Sequence, residues 1–292
     1  MGSPSRASGP DQPLSGARVL VTRSPERSLS LVAALEEAGA SAVLLPLIDF
    51  ERAADQHSLD VACDAVGAGA FDWLVVTSAT TVHVLLDKAK DRGVVLNQWI
   101  PAGTRIAAIG PATRGLLEAN GLVVHLTPSG EQSAAGLLEV WPGGGRVLLP
   151  QADIAAPRLA EGLLAAGSNV TVVTAYRTVE YPASAERRLA VPVEDGGPGQ
   201  APPSYSLLSP AAAAAGIADG SIHAVVAASP SAVRRIADLT PLHRCRLVVI
   251  GRSTAEQAAA LGLPVAAVAA EPTPEGLVAA VEAALGHQPE TT

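Results

Sequence analysis

Arg105–Gly121, RIAAIGPATRGLLEANG, carries the pattern of one complete strand–helix module. It opens as a short apolar strand and breaks at Gly110. Thr113 stands where a helix should begin, one amphipathic helix follows, and Gly121 closes it. Arg246–Gly262, RLVVIGRSTAEQAAALG, repeats the unit. Arg105 to Gly110 and Arg246 to Gly251 are both five residues, Gly110 to Gly121 and Gly251 to Gly262 are both eleven, and Thr113 and Thr254 hold the same place. A module built twice predicts that more of the chain is duplicated.

Two further pairs bear this out. Arg18–Leu45 predicts strand, helix and strand, with Leu31, Leu35 and Ala38 as the helix stripe and Gly39 as its stop. Arg146–Tyr176 repeats it with Leu159, Leu163, Ala166 and Gly167, and Arg18 to Gly39 and Arg146 to Gly167 are both twenty-one residues. Asp72–Ser78 (DWLVVTS) and His223–Ser229 (HAVVAAS) are each an apolar strand ending in serine and leading into a helix. After the opening module each copy adds a fifth strand, Val123–Thr127 or Val265–Ala269, and a last helix, Ser133–Val140 or Pro274–Leu285. Five strands alternating with helices predict two doubly wound, flavodoxin-like α/β domains with parallel sheets. Periodicity leaves two partitions open. A tandem split cuts near Gly143–Gly145; an interleaved one joins Arg18–Leu45 to His223–Leu285 around an inserted Asp72–Tyr176.

Composition narrows the function classes. The chain has 292 residues, room for two domains, and 48% apolar but only 3% aromatic residues, so its cores are built of Ala, Val and Leu. A net charge of −8 argues against a broad nucleic-acid surface. Cys63 and Cys245 stand far apart and read as buried free thiols of a reducing compartment. The histidines show no metal spacing. MGSPSRASGPDQPLSG reads as a disordered leader and not a signal peptide, and the apolar runs are too short to span a bilayer, so a soluble cytoplasmic protein is expected. Glu194–Pro203 reads as a loop or disordered insertion.

Known chemical motifs are missing: no GxxxxGK[ST] loop, no complete dinucleotide fingerprint, no GxSxG elbow. What stands out is a set of small hydroxyl residues at the carboxyl ends of strands: Ser78, Thr113, Ser229 and Thr254. Ligands of open α/β sheets bind off these ends, where helix N-termini offer backbone N–H groups to anions. Each residue could equally be only a helix cap. Arg23, Arg114, Arg177 and Arg252 near strand ends could pair with an anionic ligand or simply be solvated. Tyr176 closes the second repeated strand, and its phenol, protonated at neutral pH, could donate a proton or make one buried hydrogen bond.

The ordered motifs VLVTR, LVVTSATTV, AAIGPAT, VVTAYRTVEY, VAASPSAV, VIGRSTA and TPEGLVAAV, spread over roughly Ala17 to Leu285, resemble the uroporphyrinogen-III synthase family. The resemblance implies the interleaved architecture: a leader at 1–16, one domain of 17–46 plus 183–286, a second of 54–175, linker strands at 47–53 and 176–182, and a tail at 287–292. It implies a lyase that cyclises hydroxymethylbilane with inversion of the last pyrrole ring and loss of water, using no cofactor and no metal. The alternative is a non-catalytic relative binding a tetrapyrrole or other anion in a cleft between the domains. By resemblance Tyr176 matches the candidate proton donor, and Arg23, Ser78, Thr113, Ser229 and Thr254 match substrate-binding residues. A small-molecule substrate is implied as partner, with no nucleic acid or membrane. The protein is expected to be a monomer, with at most transient contact with the preceding pathway enzyme. Two departures from the family pattern are visible: Gln151–Ala152 where an Arg-Gly pair is common, and Ala227–Ala228 before Ser229, where Thr or Phe often precedes the serine.

Overall fold

The apolar runs Val19–Val21, Trp73–Val76, Ala224–Ala227 and Leu247–Val249 form strands with almost no exposure. A computed structural model describes residues 12–130, 132–189 and 205–286. The chain begins with β1 (Arg18–Val21), α1 (Leu29–Glu37), β2 (Ser41–Leu44), β3 (Ile48–Arg52) and α2 (Gln56–Gly67). Next come β4 (Trp73–Val76), α3 (Ala79–Asp91), α4 (Leu96–Trp99), β5 (Arg105–Ala108), α5 (Pro111–Ala119) and α6 (Ala134–Glu139). β6 (Arg146–Ala152), α7 (Arg158–Ala165), β7 (Asn169–Glu180), β8 (Ser206–Leu207) and α8 (Pro210–Ala218) follow. The chain ends in β9 (Ala224–Ala227), α9 (Pro230–Leu239), β10 (Arg246–Val249), α10 (Arg252–Ala260), β11 (Val265–Val268) and α11 (Pro274–Gly286).

Contacts divide the chain into two compact units, Met1–Ile48 with Pro192–Thr292, and Asp49–Val191. The first unit holds a six-stranded sheet in the order β11-β10-β9-β1-β2-β8, the second a five-stranded sheet in the order β3-β7-β6-β4-β5. The pairs β1–β2, β1–β9, β9–β10 and β10–β11 are parallel, as are β6–β7, β4–β6 and β4–β5. In the second unit Leu126 adds a parallel bridge to Ala107 beyond β5. Counting β6 first, its order β7-β6-β4-β5-Leu126 matches β2-β1-β9-β10-β11 of the first unit. Both are the flavodoxin order 2-1-3-4-5, one cyclically shifted along the chain relative to the other.

Each sheet is covered on both faces, and side-chain alternation sorts its strands between two cores. In the first unit Val19, Val21, Ala224, Val226 and Val248 pack with α1 and α11, while Leu20, Val225, Ala227, Leu247 and Val249 pack with α8 and α9. In the second, Leu74, Val76, Ile106, Ala108 and Leu148 face α2 and α3, while Trp73, Val75, Ala107, Val147 and Leu149 face α6 and α7. The helices of the opening module end at Gly121 (φ +77°) and Gly262 (φ +69°), left-handed conformations that an L side chain resists.

Several sequence expectations differ from the structure. Val123–Thr127 is not a strand. His125 Nδ1 accepts the Ile106 N–H at 3.1 Å, taking with a side chain the donor that a regular ladder would pair with a carbonyl. Leu14, placed in the expected disordered leader, is 3% exposed and donates its N–H to Ala38 O at 2.9 Å, because a single leucine beside the helix end can be buried without any periodic pattern. α2, α4, α8 and β8 were not anticipated. The leader up to residue 11, the Glu194–Pro203 insertion and the tail lie outside the described residues.

Candidate functional site

The candidate residues divide between the units: Arg23, Ser229 and Thr254 in the first, Ser78, Thr113 and Tyr176 in the second. All follow the carboxyl ends of strands or, for Tyr176, lie within the last long one. The strand order reverses between β1 and β9 and between β6 and β4, the positions where open α/β sheets leave a crevice for ligands.

Ser78 and Ser229 follow β4 and β9 as matched helix caps. Ser78 Oγ accepts the Thr81 N–H and Ser229 Oγ the Ala232 N–H, each at 3.1 Å, from extended backbone. The threonines do not cap. Gly110 and Gly251 are the N-cap residues of α5 and α10, and neither helix has a side-chain cap bond. Thr113 and Thr254 are instead third in their helices and face inward, 4% and 1% exposed. A glycine cap leaves first-turn N–H groups without a capping side chain, which suits anion binding. The repeat spacing located these threonines; their inward orientation it could not show.

At the first unit's reversal point Thr22 Oγ1 donates to Val226 O at 2.9 Å, holding β1 to β9 just before Arg23. Arg114, Arg252 and Arg177 each pair with a carboxylate of the same chain. Arg114 meets Glu118 at 2.8 Å and Arg252 meets Glu256 at 3.2 Å, both one helical turn on. Arg177 meets Glu51 at 3.3 Å.

Tyr176 is 7% exposed. Its hydroxyl lies 3.2 Å from Ser78 Oγ, which is also 3.0 Å from Thr81 Oγ1, so three hydroxyls form a short chain at the end of β4. A register shift aims the ring there. β6 pairs Gln151 with Thr174 but Ala152 with Tyr176, leaving Ala175 as an extra residue of β7. The bulge breaks alternation, so neighbouring Ala175 and Tyr176 enter the same core as Val173. Phe50 of β3 packs its ring edge-on against Tyr176, with centroids 5.3 Å apart at 87°.

Sequence reasoning missed the polar framework beside that ring. Asp49 and Glu51 of β3 are only 6% and 4% exposed. Asp49 accepts from Ala183 N at 3.0 Å and from Arg188 at 2.9 Å; Glu51 accepts from Ser184 N at 3.2 Å, Arg187 at 3.2 Å and Arg177. Two acids alternating with Phe50 in a strand were the available signal. A separate cavity of about 310 Å³ in the second unit is lined by Arg52, Gln56, Val84, Lys88 and Leu189 among others, and by none of the candidate residues. Among the described residues no cluster of three metal-ligating side chains occurs, and no helix is long and apolar enough to cross a membrane.

The family profile described as uroporphyrinogen-III synthase HemD matches residues 30–279, most of the chain. The chain belongs to the uroporphyrinogen-III synthase family. The names of the family and its matched relatives belong to porphyrin biosynthesis. A porphyrin biosynthesis protein HemD of Ruminiclostridium josui is 31% identical over 147 residues, covering 49% of this chain and 28% of that one. A candidate uroporphyrinogen-III synthase of Methanothermobacter thermautotrophicus is 29% identical over 235 residues, 79% and 80% of the two chains. The matched part thus spans well under two thirds of the Ruminiclostridium relative. A solved mutant uroporphyrinogen III synthase of Thermus thermophilus shares the fold, with TM-score 0.65 at 18% identity over 93% of this chain and all of that one.

Proposed function

We propose that this chain is a catalytically active uroporphyrinogen-III synthase, a lyase that closes hydroxymethylbilane with inversion of the last ring and needs no cofactor. The observation that carries the catalytic reading is the Tyr176 hydroxyl, 3.2 Å from Ser78 Oγ beyond the end of β4, in a chain that matches the family from residue 30 to 279. A phenol in a chain of hydroxyls can release a proton at one end while the chain redistributes its hydrogen bonds. In this reading Tyr176 gives its proton to the departing hydroxyl of the substrate, the C–O bond breaks and water leaves. The substituted α-carbon of the last pyrrole then bonds to the freed methylene carbon, forming a spiro intermediate. The ring's original methylene bond breaks and re-forms at its other α-carbon, whose hydrogen leaves as a proton and restores the phenol. Substrate and product differ by one water, so the step balances without a co-reactant.

Ring inversion competes with direct closure, so orientation does most of the work. Arg23, Ser78, Thr113, Ser229 and Thr254 are proposed substrate contacts, with the uncapped first turns of α5 and α10 receiving carboxylates. The protein is read as a cytoplasmic monomer that meets the preceding enzyme of the pathway at most transiently. The deciding experiment incubates the purified chain with hydroxymethylbilane and separates the product isomers. Isomer III in excess supports the proposal. Isomer I alone, at the spontaneous rate, would leave a ligand-binding relative without turnover.

A further inference from the structure

Phe50 stands between two buried carboxylates on an edge strand, an expensive arrangement that a run of apolar residues would avoid. Five groups from Arg177 and the Ala183–Arg188 segment meet Asp49 and Glu51, and Leu189 N donates to Phe50 O at 2.9 Å. The segment therefore fixes β3 immediately on either side of the ring that touches Tyr176.

We propose that Phe50 is a positioning residue for the Tyr176 phenol, held in place by Asp49 and Glu51, so that the edge-on ring pair keeps the hydroxyl directed at Ser78. The bulge at Ala175 brings Tyr176 to this face, while Ala152 still pairs with Tyr176 and the Asp153 N–H donates to Tyr176 O at 3.0 Å, so the backbone is held and the direction of the ring remains to be set. Phe50 acts on the ring itself: it stands at 87° to the phenol, with centroids 5.3 Å apart, and limits rotation about the Tyr176 side-chain torsions. Small displacements of a reacting group lower rates steeply, so a loosened phenol would slow the chemical step while leaving substrate affinity alone. The catalytic consequence rests on the donor role proposed for Tyr176; the orienting role does not.

The test uses the full chain labelled with 3-fluorotyrosine, which carries only Tyr176, Tyr181 and Tyr205, with the Tyr176 fluorine signal assigned by Tyr176→Phe. Phe50→Leu keeps apolar volume but removes the ring. The expected result is a shifted or broadened Tyr176 signal and a kcat lowered roughly tenfold at unchanged KM, with both restored in Phe50→Trp. Glu51→Gln, which retains Phe50, is expected to move the same signal in the same direction by less, and serves if Phe50→Leu does not fold. A Tyr176 signal unmoved in these variants overturns the proposal, whatever the rate does. If Tyr176→Phe itself keeps full turnover, the donor role fails, and the fluorine signal alone then decides whether Phe50 orients the ring.

Discussion

The Tyr176 hydroxyl and Ser78 Oγ lie 3.2 Å apart although ninety-eight positions separate them in the chain. Ser78 is also the N-cap of α3, so one oxygen serves the helix and the phenol together. Tyr176→Phe removes only the phenol oxygen, and Ser78 keeps its Thr81 partners. We expect a loss of about 1 kcal/mol in stability or less, and a fall in isomer III formation of about 10²–10⁴-fold. Urea denaturation and product isomer analysis measure the two. Wild-type turnover would remove the donor role.

The matched serines and threonines should separate by what they do for their helices. Ser78→Ala and Ser229→Ala each delete a cap bond and should cost about 1 kcal/mol. Thr113→Val and Thr254→Val delete hydroxyls that cap nothing while keeping the buried volume, and should cost less stability than the serine variants while raising KM for hydroxymethylbilane. A threonine variant as destabilised as the serine variants would show that its hydroxyl holds the helix after all.

Burial pushes the Cys63 thiol up to about 11 and the Cys245 thiol up to about 12 from an ordinary 9.0. The folded protein thus holds both protons at pH values where the unfolded chain has lost them. Stability from this source is complete below pH 9 and declines as pH rises through 9 toward 11 and 12. Folded protein should react slowly with a thiol reagent at pH 8, and both thiols rapidly in urea. Fast reaction of the folded protein would contradict the burial of these side chains.

Glu51 and Arg187 share one ion pair but not one environment: the Glu51 side chain is 5% exposed, that of Arg187 62%. Arg187→Ala loses a solvent-screened contact and should cost less than about 1 kcal/mol. Glu51→Ala leaves the Ser184 N–H and Arg177 short of an acceptor and should cost about 2–3 kcal/mol. Equal costs in chemical denaturation would mean that the buried carboxylate does not organise this segment.

Much of the fold was legible because it is written twice. Equal glycine spacings located the modules, and the uniform apolar runs marked strands buried on both faces. Side chains that break the pattern were not legible. His125 replaces a strand bond with an imidazole nitrogen, which no propensity reveals. The helix Gln56–Gly67 carried usable signals, a capping Asp55 and the stripe Leu59, Ala62, Cys63 and Val66, but its counterpart before β9, α8, is a run of alanines with no matching stripe, so the repeat does not reveal it. At the candidate site the small hydroxyl residues were found from position alone. The aim of Tyr176 depends on an extra residue at Ala175, and register is a property of two strands that one strand's sequence does not contain.

The cyclic shift between the two sheets has a consequence for how the protein is made. Ribosomes deliver Asp49–Val191 as one uninterrupted stretch, and that unit can close while the rest is still being synthesised. β1 and β2 emerge first but must wait: the hydrogen bond from Thr22 to Val226 spans 204 positions. Until β9 arrives, the edge of β1 that it will cover stays open to strands of other nascent chains. The amino-terminal strands are therefore the described part of the chain whose pairing waits on the longest stretch of later synthesis.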